Sequence, residues 1–202
     1  MNSDTFTTAI SGLITRRFPL RAHDNTLASM ADEEITELVR DGNTEAFGIL
    51  VRRHEDFVFT LARGIVSSKE QAKDVAQEAF LRAYKAIRRF ERRSTFKTWL
   101  YRIAYNTAMS HRKIKEAEYM PIDETVLEHS ISSSNEYTLR MTLEKLIGLL
   151  KPDLTAVVIL YYYDELKYEE IADVLNCPVG TVKIRLFRAK HELKTLWDKY
   201  AA

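Results

Sequence analysis

Between Pro178 and Lys190 the chain sets Thr181, Lys183, Ile184, Arg185 and Arg188 within little more than two helical turns. Behind them Val182, Leu186, Ala189, Leu193 and Leu196 recur at three- and four-residue steps, which makes one apolar stripe. Residues 182–194 carry five Lys/Arg against a single acid, Glu192. A helix with an apolar back and a basic front can enter a DNA major groove, where cations meet phosphates and a guanidinium matches the O6 and N7 of guanine. A second concentration lies at Arg92, Arg93, Lys97, Tyr101, Arg102, Tyr105, Asn106 and Arg112. Tyr101 and Tyr105 stand one turn apart, nearly opposite the apolar side of Phe96, Trp99, Leu100, Ile103 and Thr107. Exposed there, they would offer π-faces to unstacked bases while Arg102, Arg112 and Lys113 meet phosphates. The plainer readings are a solvated αα-hairpin for the first group and tyrosines packed under a loop for the second.

Other chemistries have little support. The five histidines (23, 54, 111, 129 and 191) are scattered, and neither HExxH nor a glycine-rich phosphate loop is present. The reading is a non-enzyme with no catalytic residues, no metal site and no cofactor. The single cysteine, Cys177, excludes an intrachain disulfide and a multi-cysteine zinc site. It reads as a turn residue rather than a redox sensor, and one cysteine fits a reducing cytoplasm. No apolar run approaches the ~20 residues needed to span a bilayer, so no membrane insertion is expected.

The elements that must position these residues are helices. Only six glycines and four prolines interrupt 202 residues, and long segments keep a helical period. Asp32 to Asp41 reads as a short helix ended by Gly42, and Asn43 caps the next to about Gly64. Ser67 or Ser68 caps a long helix from Lys69 to about Arg89, with Ala72, Val75, Ala76, Ala79, Phe80, Ala83, Ile87 and Phe90 inward. Asp74, Gln77, Glu78, Leu81 and Arg82 project from its other sides. Ser94 or Thr95 caps a helix to about Lys115. Asn135 caps another to about Leu150, and Pro152-Asp153 opens one ending in Tyr161-Tyr162-Tyr163, read as core and rim. The last two are a short helix with Ile171, Ala172 and Leu175 inside, broken at Asn176-Cys177-Pro178, and the basic helix, with Pro178 expected as its first residue.

Charge marks the domains. Net charge is +1, yet residues 82–115 hold eleven Lys/Arg and one acid, while residues 30–81 and 116–147 are both net acidic. Residues 116–136 combine acids, serines and Pro121 and read as a flexible acidic linker. The expected fold is all-α: two small helical domains, 30–115 and 137–202, joined by that linker, the second containing a helix-turn-helix. Residues 1–29 read as a poorly ordered extension without a secretory signal, and Met30-Ala31-Asp32-Glu33 also reads as a natural beginning.

The wording of three segments carries a resemblance. Tyr168-Glu169-Glu170-Ile171-Ala172 followed by Pro178-Val179-Gly180-Thr181-Val182-Lys183 resembles the C-terminal DNA-binding domain of bacterial sigma factors of the extracytoplasmic-function group. Lys73 to Tyr84 resembles the helix by which sigma factors grip the clamp helices of the RNA polymerase β′ subunit. Ser94 to Ala108 resembles the segment that opens and reads the −10 promoter element. Three such segments in this order identify the chain as a member of the sigma-70 family, over about residues 32–115 and 137–196. It departs from common wording at Ile184, where a small polar residue is frequent, at Glu91-Arg92-Arg93, which lacks a glycine, and at Tyr105, where arginine is common.

The resemblance implies a transcription initiation factor acting in the cytoplasm. Its implied partners are core RNA polymerase (β′ clamp helices and β flap), promoter DNA and an anti-sigma factor. Asp74, Gln77, Glu78, Leu81 and Arg82 would bind core polymerase. Arg92, Arg93, Lys97, Tyr101, Arg102, Tyr105, Asn106 and Arg112 would bind the −10 element. Thr181, Lys183, Ile184, Arg185 and Arg188 would bind the −35 element. The alternative is a stand-alone helix-turn-helix regulator, which would not need the Asp74–Arg82 and Trp99–Asn106 segments.

Overall fold

The computed structural model describes residues 29–118 and 136–200, and every regular element among them is helical. The N-terminal extension, most of the expected linker and the expected Asn135 cap lie outside the described residues. Four helices form the first domain: α1 Asp32–Arg40, α2 Thr44–Ile65, α3 Lys69–Ala86 and α4 Phe96–Glu118. Four form the second: α5 Glu136–Leu149, α6 Pro152–Tyr162, α7 Tyr168–Leu175 and α8 Val179–Tyr200.

Local chemistry fixes where the helices begin and stop. Asn43 Oδ1 accepts from Ala46 N–H at 3.1 Å, Ser68 Oγ from Gln71 N–H at 3.2 Å and Thr95 Oγ1 from Thr98 N–H at 3.2 Å. Each side chain satisfies a donor that the first helical turn leaves unpaired. At α1 and α7 a carboxylate reaches back instead: Ala31 N–H donates to Glu34 at 2.8 Å and Lys167 N–H to Glu170 at 2.9 Å. Gly42, at φ +102°, makes the turn after α1. The third helix stops as a regular α-helix at Ala86, and Ile87–Arg89 tightens into a 3₁₀ turn. In the helix-turn-helix, Asn176 closes α7 in the left-handed region at φ +50°, a conformation its short polar side chain tolerates. Pro178 sits one residue before its expected place: its carbonyl accepts from Thr181 N–H at 2.9 Å and Val182 N–H at 3.3 Å, so it caps α8 rather than starting it.

Each domain has its own core, and the two cores touch. Ile35, Leu50, Val58, Leu61, Val75, Ala79, Phe96 and Leu100 close the first, and Leu146, Val158, Leu160, Ile171, Val182 and Leu193 the second. Helix α6 is buried almost all round, from Leu154 to Leu160. One side meets α8, and the other lies on α2 of the first domain. They approach at Gly64, where a Cβ would come within 2.5 Å of Ile159 Cδ1 and 2.8 Å of Thr155 Cγ2. Helix α7 in turn lies along α4. The tyrosines after Leu160 follow the expected core-and-rim division: Tyr162 is buried, Tyr161 and Tyr163 half-buried.

Candidate nucleic-acid and polymerase interface

Helix α3 presents its candidates outward. Asp74, Gln77, Leu81 and Arg82 are exposed and Glu78 is half-exposed, while Ala72, Val75, Ala79 and Ala83 hold the back. Leu81 is 53% exposed, an aliphatic side chain set among charges and available to a partner. Glu78 is shared by His111 Nε2 and Arg82 Nη2, each at 2.5 Å. The hydrogen bond from His111 does most to hold this carboxyl below its ordinary range.

Helix α8 meets expectation over most of its length. Val182, Leu186, Ala189 and Leu193 are buried, and Lys183, Ile184 and Arg188 are exposed. Lys183 Nζ lies 5.8 Å from the centre of the Tyr168 ring, close enough for a cation–π contact across the turn. Arg185 differs. Its Nε is 3.2 Å from Asp153 Oδ2 on α6, so this guanidinium is engaged within its own domain. Phe187, which the pattern alone did not single out, is 72% exposed. Its position three residues after Ile184 and off the apolar stripe was the available signal.

The tyrosines of α4 are not exposed, and this corrects the sequence reading. Tyr101 is 1% and Tyr105 8% exposed. Tyr101 stacks on Phe57 with ring centroids 4.1 Å apart, and its hydroxyl is 3.3 Å from His54 Nδ1. His54 Nε2 is held by Asp32 Oδ2 at 2.6 Å, with Arg53 Nη1 at 2.6 Å from the other oxygen. Burial pushes the Asp32 carboxyl up, but the hydrogen bonds and charges of His54 and Arg53 outweigh it, so the group ionises below its ordinary range. Tyr105 is covered by the second domain and lies in the field of Arg185, Asp153 and Cys177, where burial raises its phenol pKa. An amphipathic pattern assumes one buried face. Helix α4 has two, one against α2 and α3 and one against α7.

The cations around these tyrosines are tied as well. Arg102 Nε donates to the Asp173 carbonyl at 2.6 Å, and Lys97 Nζ is 3.0 Å from Asp164. Both bonds cross between the domains. Arg112 Nη1 donates to the Ile65 carbonyl at 3.1 Å. Arg92 stands at φ +56°, unusual without glycine, and its side chain reaches the Glu33 carbonyl at 3.0 Å and Glu37 at 2.8 Å. Glu33 also accepts from Phe96 N–H at 3.3 Å, so α1 braces the loop before α4 from two points. Arg93 is well exposed and pairs with Glu91, and Asn106 is exposed. The structure therefore brings Tyr105 and Arg185 together, although the sequence reading assigned them to separate surfaces. Sequence gave no sign of Asp164 or Asp173 as partners, since both look like solvated acids.

Among the described residues no group of three or more His, Cys, Asp or Glu could hold a metal ion, and no helix is long and apolar enough to cross a membrane. Cys177 is half-buried, with its Sγ 3.9 Å from Arg185 Nη1.

Known proteins share this arrangement. Residues 50–116 match the sigma-70 region 2 family, and residues 140–193 match the sigma-70 region 4 family. The RNA polymerase sigma-H factor of Pseudomonas aeruginosa is 36% identical over 183 residues, covering 83% of this chain and 94% of that one. The ECF RNA polymerase sigma-E factor of Escherichia coli K12 is 36% identical over 178 residues, covering 81% and 93%. Among solved structures, CnrH in complex with the cytosolic domain of CnrY superposes with a TM-score of 0.63 at 26% identity, covering 84% of this chain and 99% of that one. A stand-alone regulator would need only α5 to α8, and the match runs through both domains. The chain therefore belongs to the extracytoplasmic-function group of the sigma-70 family of RNA polymerase sigma factors.

Proposed function

We propose that residues 30–115 grip core RNA polymerase and capture the −10 element, that 116–136 serve as the linker, and that 137–202 read the −35 element, all in the cytoplasm. Core polymerase is held by Asp74, Gln77, Glu78, Leu81 and Arg82, with the β′ clamp helices as counterpart. The β flap meets the second domain. Lys183, Ile184 and Arg188 face the −35 duplex with Thr181 leading, since recognition helices enter the groove by their N-terminal end. Arg185 joins them by exchanging Asp153 for a phosphate or base. Arg92, Arg93, Lys97, Arg102, Tyr105, Asn106 and Arg112 meet the melted −10 strand after α7 has left α4, and Tyr101 supports that face from inside the first domain. The observation that carries this reading is the contrast in exposure. The face of α3 that carries Asp74 and Glu78 and the front of α8 are open to solvent, whereas Tyr105 on α4 is closed by the second domain. Such a chain engages polymerase and duplex first and single strand last. CnrH was solved with the domain of CnrY, and an anti-sigma partner for this chain would favour the closed arrangement.

Run-off transcription with core polymerase and genomic fragments tests the proposal. Transcripts with specific starts should appear only when the chain is added. An Asp74→Lys, Glu78→Lys double variant with unchanged circular dichroism should fail both to pull down core polymerase and to start transcripts. Wild-type behaviour of that variant would remove α3 from the account.

A further inference from the structure

Ile184 is an aliphatic side chain that the fold does not use. It is 54% exposed in the second turn of α8, on the opposite side from Val182, Leu186 and Ala189, which are fully committed to the core. Its neighbours on the open face are Lys183, Arg188 and Phe187. Ile184 and Phe187, three residues apart, make an apolar strip inside a basic surface. Arg185, the cation next in sequence, is turned away to Asp153. The open front of the helix is therefore cationic at its edges and apolar along its middle.

Resting on the −35 assignment above, we propose that Ile184 reads the C5-methyl group of a thymine in the −35 element. Isoleucine neither donates nor accepts a hydrogen bond, so it cannot read the oxygen and nitrogen edges of bases. The apolar group that a base pair displays in the major groove is the thymine methyl. A β-branched side chain in a helix keeps essentially one χ1 rotamer, so its methyl groups arrive at a fixed place without further ordering. Lys183 and Arg188 flank it and can anchor phosphates or guanine on either side. The preference would extend to 5-methylcytosine over cytosine, because the same methyl occupies the same position.

The test uses holoenzyme reconstituted from core polymerase and the full chain, on a promoter mapped by run-off transcription. Thymines in its −35 duplex are replaced one at a time by uracil, which removes the methyl and leaves every hydrogen-bonding group in place. Wild type should lose about fourfold in half-saturating concentration at one position, the equivalent of one buried methyl group, and nothing at the others. Ile184→Ser should bind the thymine and uracil duplexes equally at that position, and Ile184→Val should keep the preference. Because the side chain faces solvent, both variants should fold as wild type by circular dichroism. Equal binding of uracil at every position, or a preference that survives Ile184→Ser, would overturn the inference and leave the −35 assignment standing. A footprint that never covers the −35 segment would overturn both.

Discussion

Gly64 offers a direct test of the closed arrangement. An alanine there brings a Cβ within 2.5 Å of Ile159 Cδ1 and 2.8 Å of Thr155 Cγ2. The Ile159 terminus can rotate, but Thr155 cannot: it is fully buried, with its hydroxyl in hydrogen-bond reach of the carbonyls of Ile147 at 3.1 Å, Lys151 at 3.2 Å and Leu150 at 3.4 Å. Overpacking of this kind costs about 1–3 kcal/mol. The intrinsic helix gain of alanine over glycine, about 1 kcal/mol, is present whether or not the domains touch and so cancels from their equilibrium. Gly64→Ala should therefore shift the chain toward the open form by about 5–150-fold. Two readouts apply to the free protein: a larger radius of gyration by small-angle X-ray scattering, and tighter capture of a pre-melted −10 bubble. Gly48→Ala is the control. It lies on the same helix, and its added Cβ meets only Arg52 Nη1 at 3.6 Å, an ordinary contact. It should raise stability without changing compaction or bubble capture. Identical behaviour of the two variants would refute the argument, because only one of them touches the second domain.

Two further outcomes follow from the support around α4. Asp32 has a lowered pKa in the folded chain, so its stabilisation is in full force above the ordinary aspartate range and is lost as pH falls through the folded value. Asp32→Asn should cost about 1.5–3 kcal/mol in urea unfolding at neutral pH, the range for hydrogen bonds to a charged group, and the difference from wild type should shrink below about pH 4. Arg92 spends strain to hold its ties to α1. Arg92→Gly should be nearly neutral, because relief of about 1 kcal/mol of left-handed strain offsets an exposed ion pair worth at most about 1 kcal/mol. Arg92→Ala keeps the strain and loses the ties, so it should be the less stable of the two in the same assay.

The helices among the described residues, the caps at Asn43 and Ser68 and both cores could be read from the chain because each depends on neighbours within one or two turns. Asn43, Ser68 and Gly42 act on the residues beside them, and the stripe of α8 needs only its own period. Tyr101 and Tyr105 failed for the opposite reason. Their burial is decided by residues far away in sequence, Phe57 and His54 for one and the second domain for the other. Nothing local distinguishes a tyrosine that waits for a base from one covered by another helix. The same holds for Arg185, whose exposure depends on Asp153, and for Arg92, whose left-handed backbone depends on Glu33 and Glu37. Helix α6 gave a partial signal: an apolar run too broad for one face already implies two neighbours.

The pairing of the basic block with the chain's own acids alters how salt should act on promoter binding. Arg82, Arg92, Arg93, Lys97 and Arg102 are each matched to a carboxylate of the same chain. A lysine or arginine that arrives free at DNA displaces a condensed counterion, and affinity falls with salt in proportion to the phosphates neutralised. A cation that first leaves Glu37, Asp164 or Asp173 uncovers an anion, and that anion gathers an ion from solution as the phosphate gives one up. Net ion release per contact is smaller, so the slope of log affinity against log salt is shallower than the number of basic residues on the DNA. Contacts from Lys183 and Arg188 on the open front of α8 keep their full ionic-strength dependence. On the proposed assignment of the two surfaces, the −35 and −10 stages of one binding reaction should respond differently to the same change of salt.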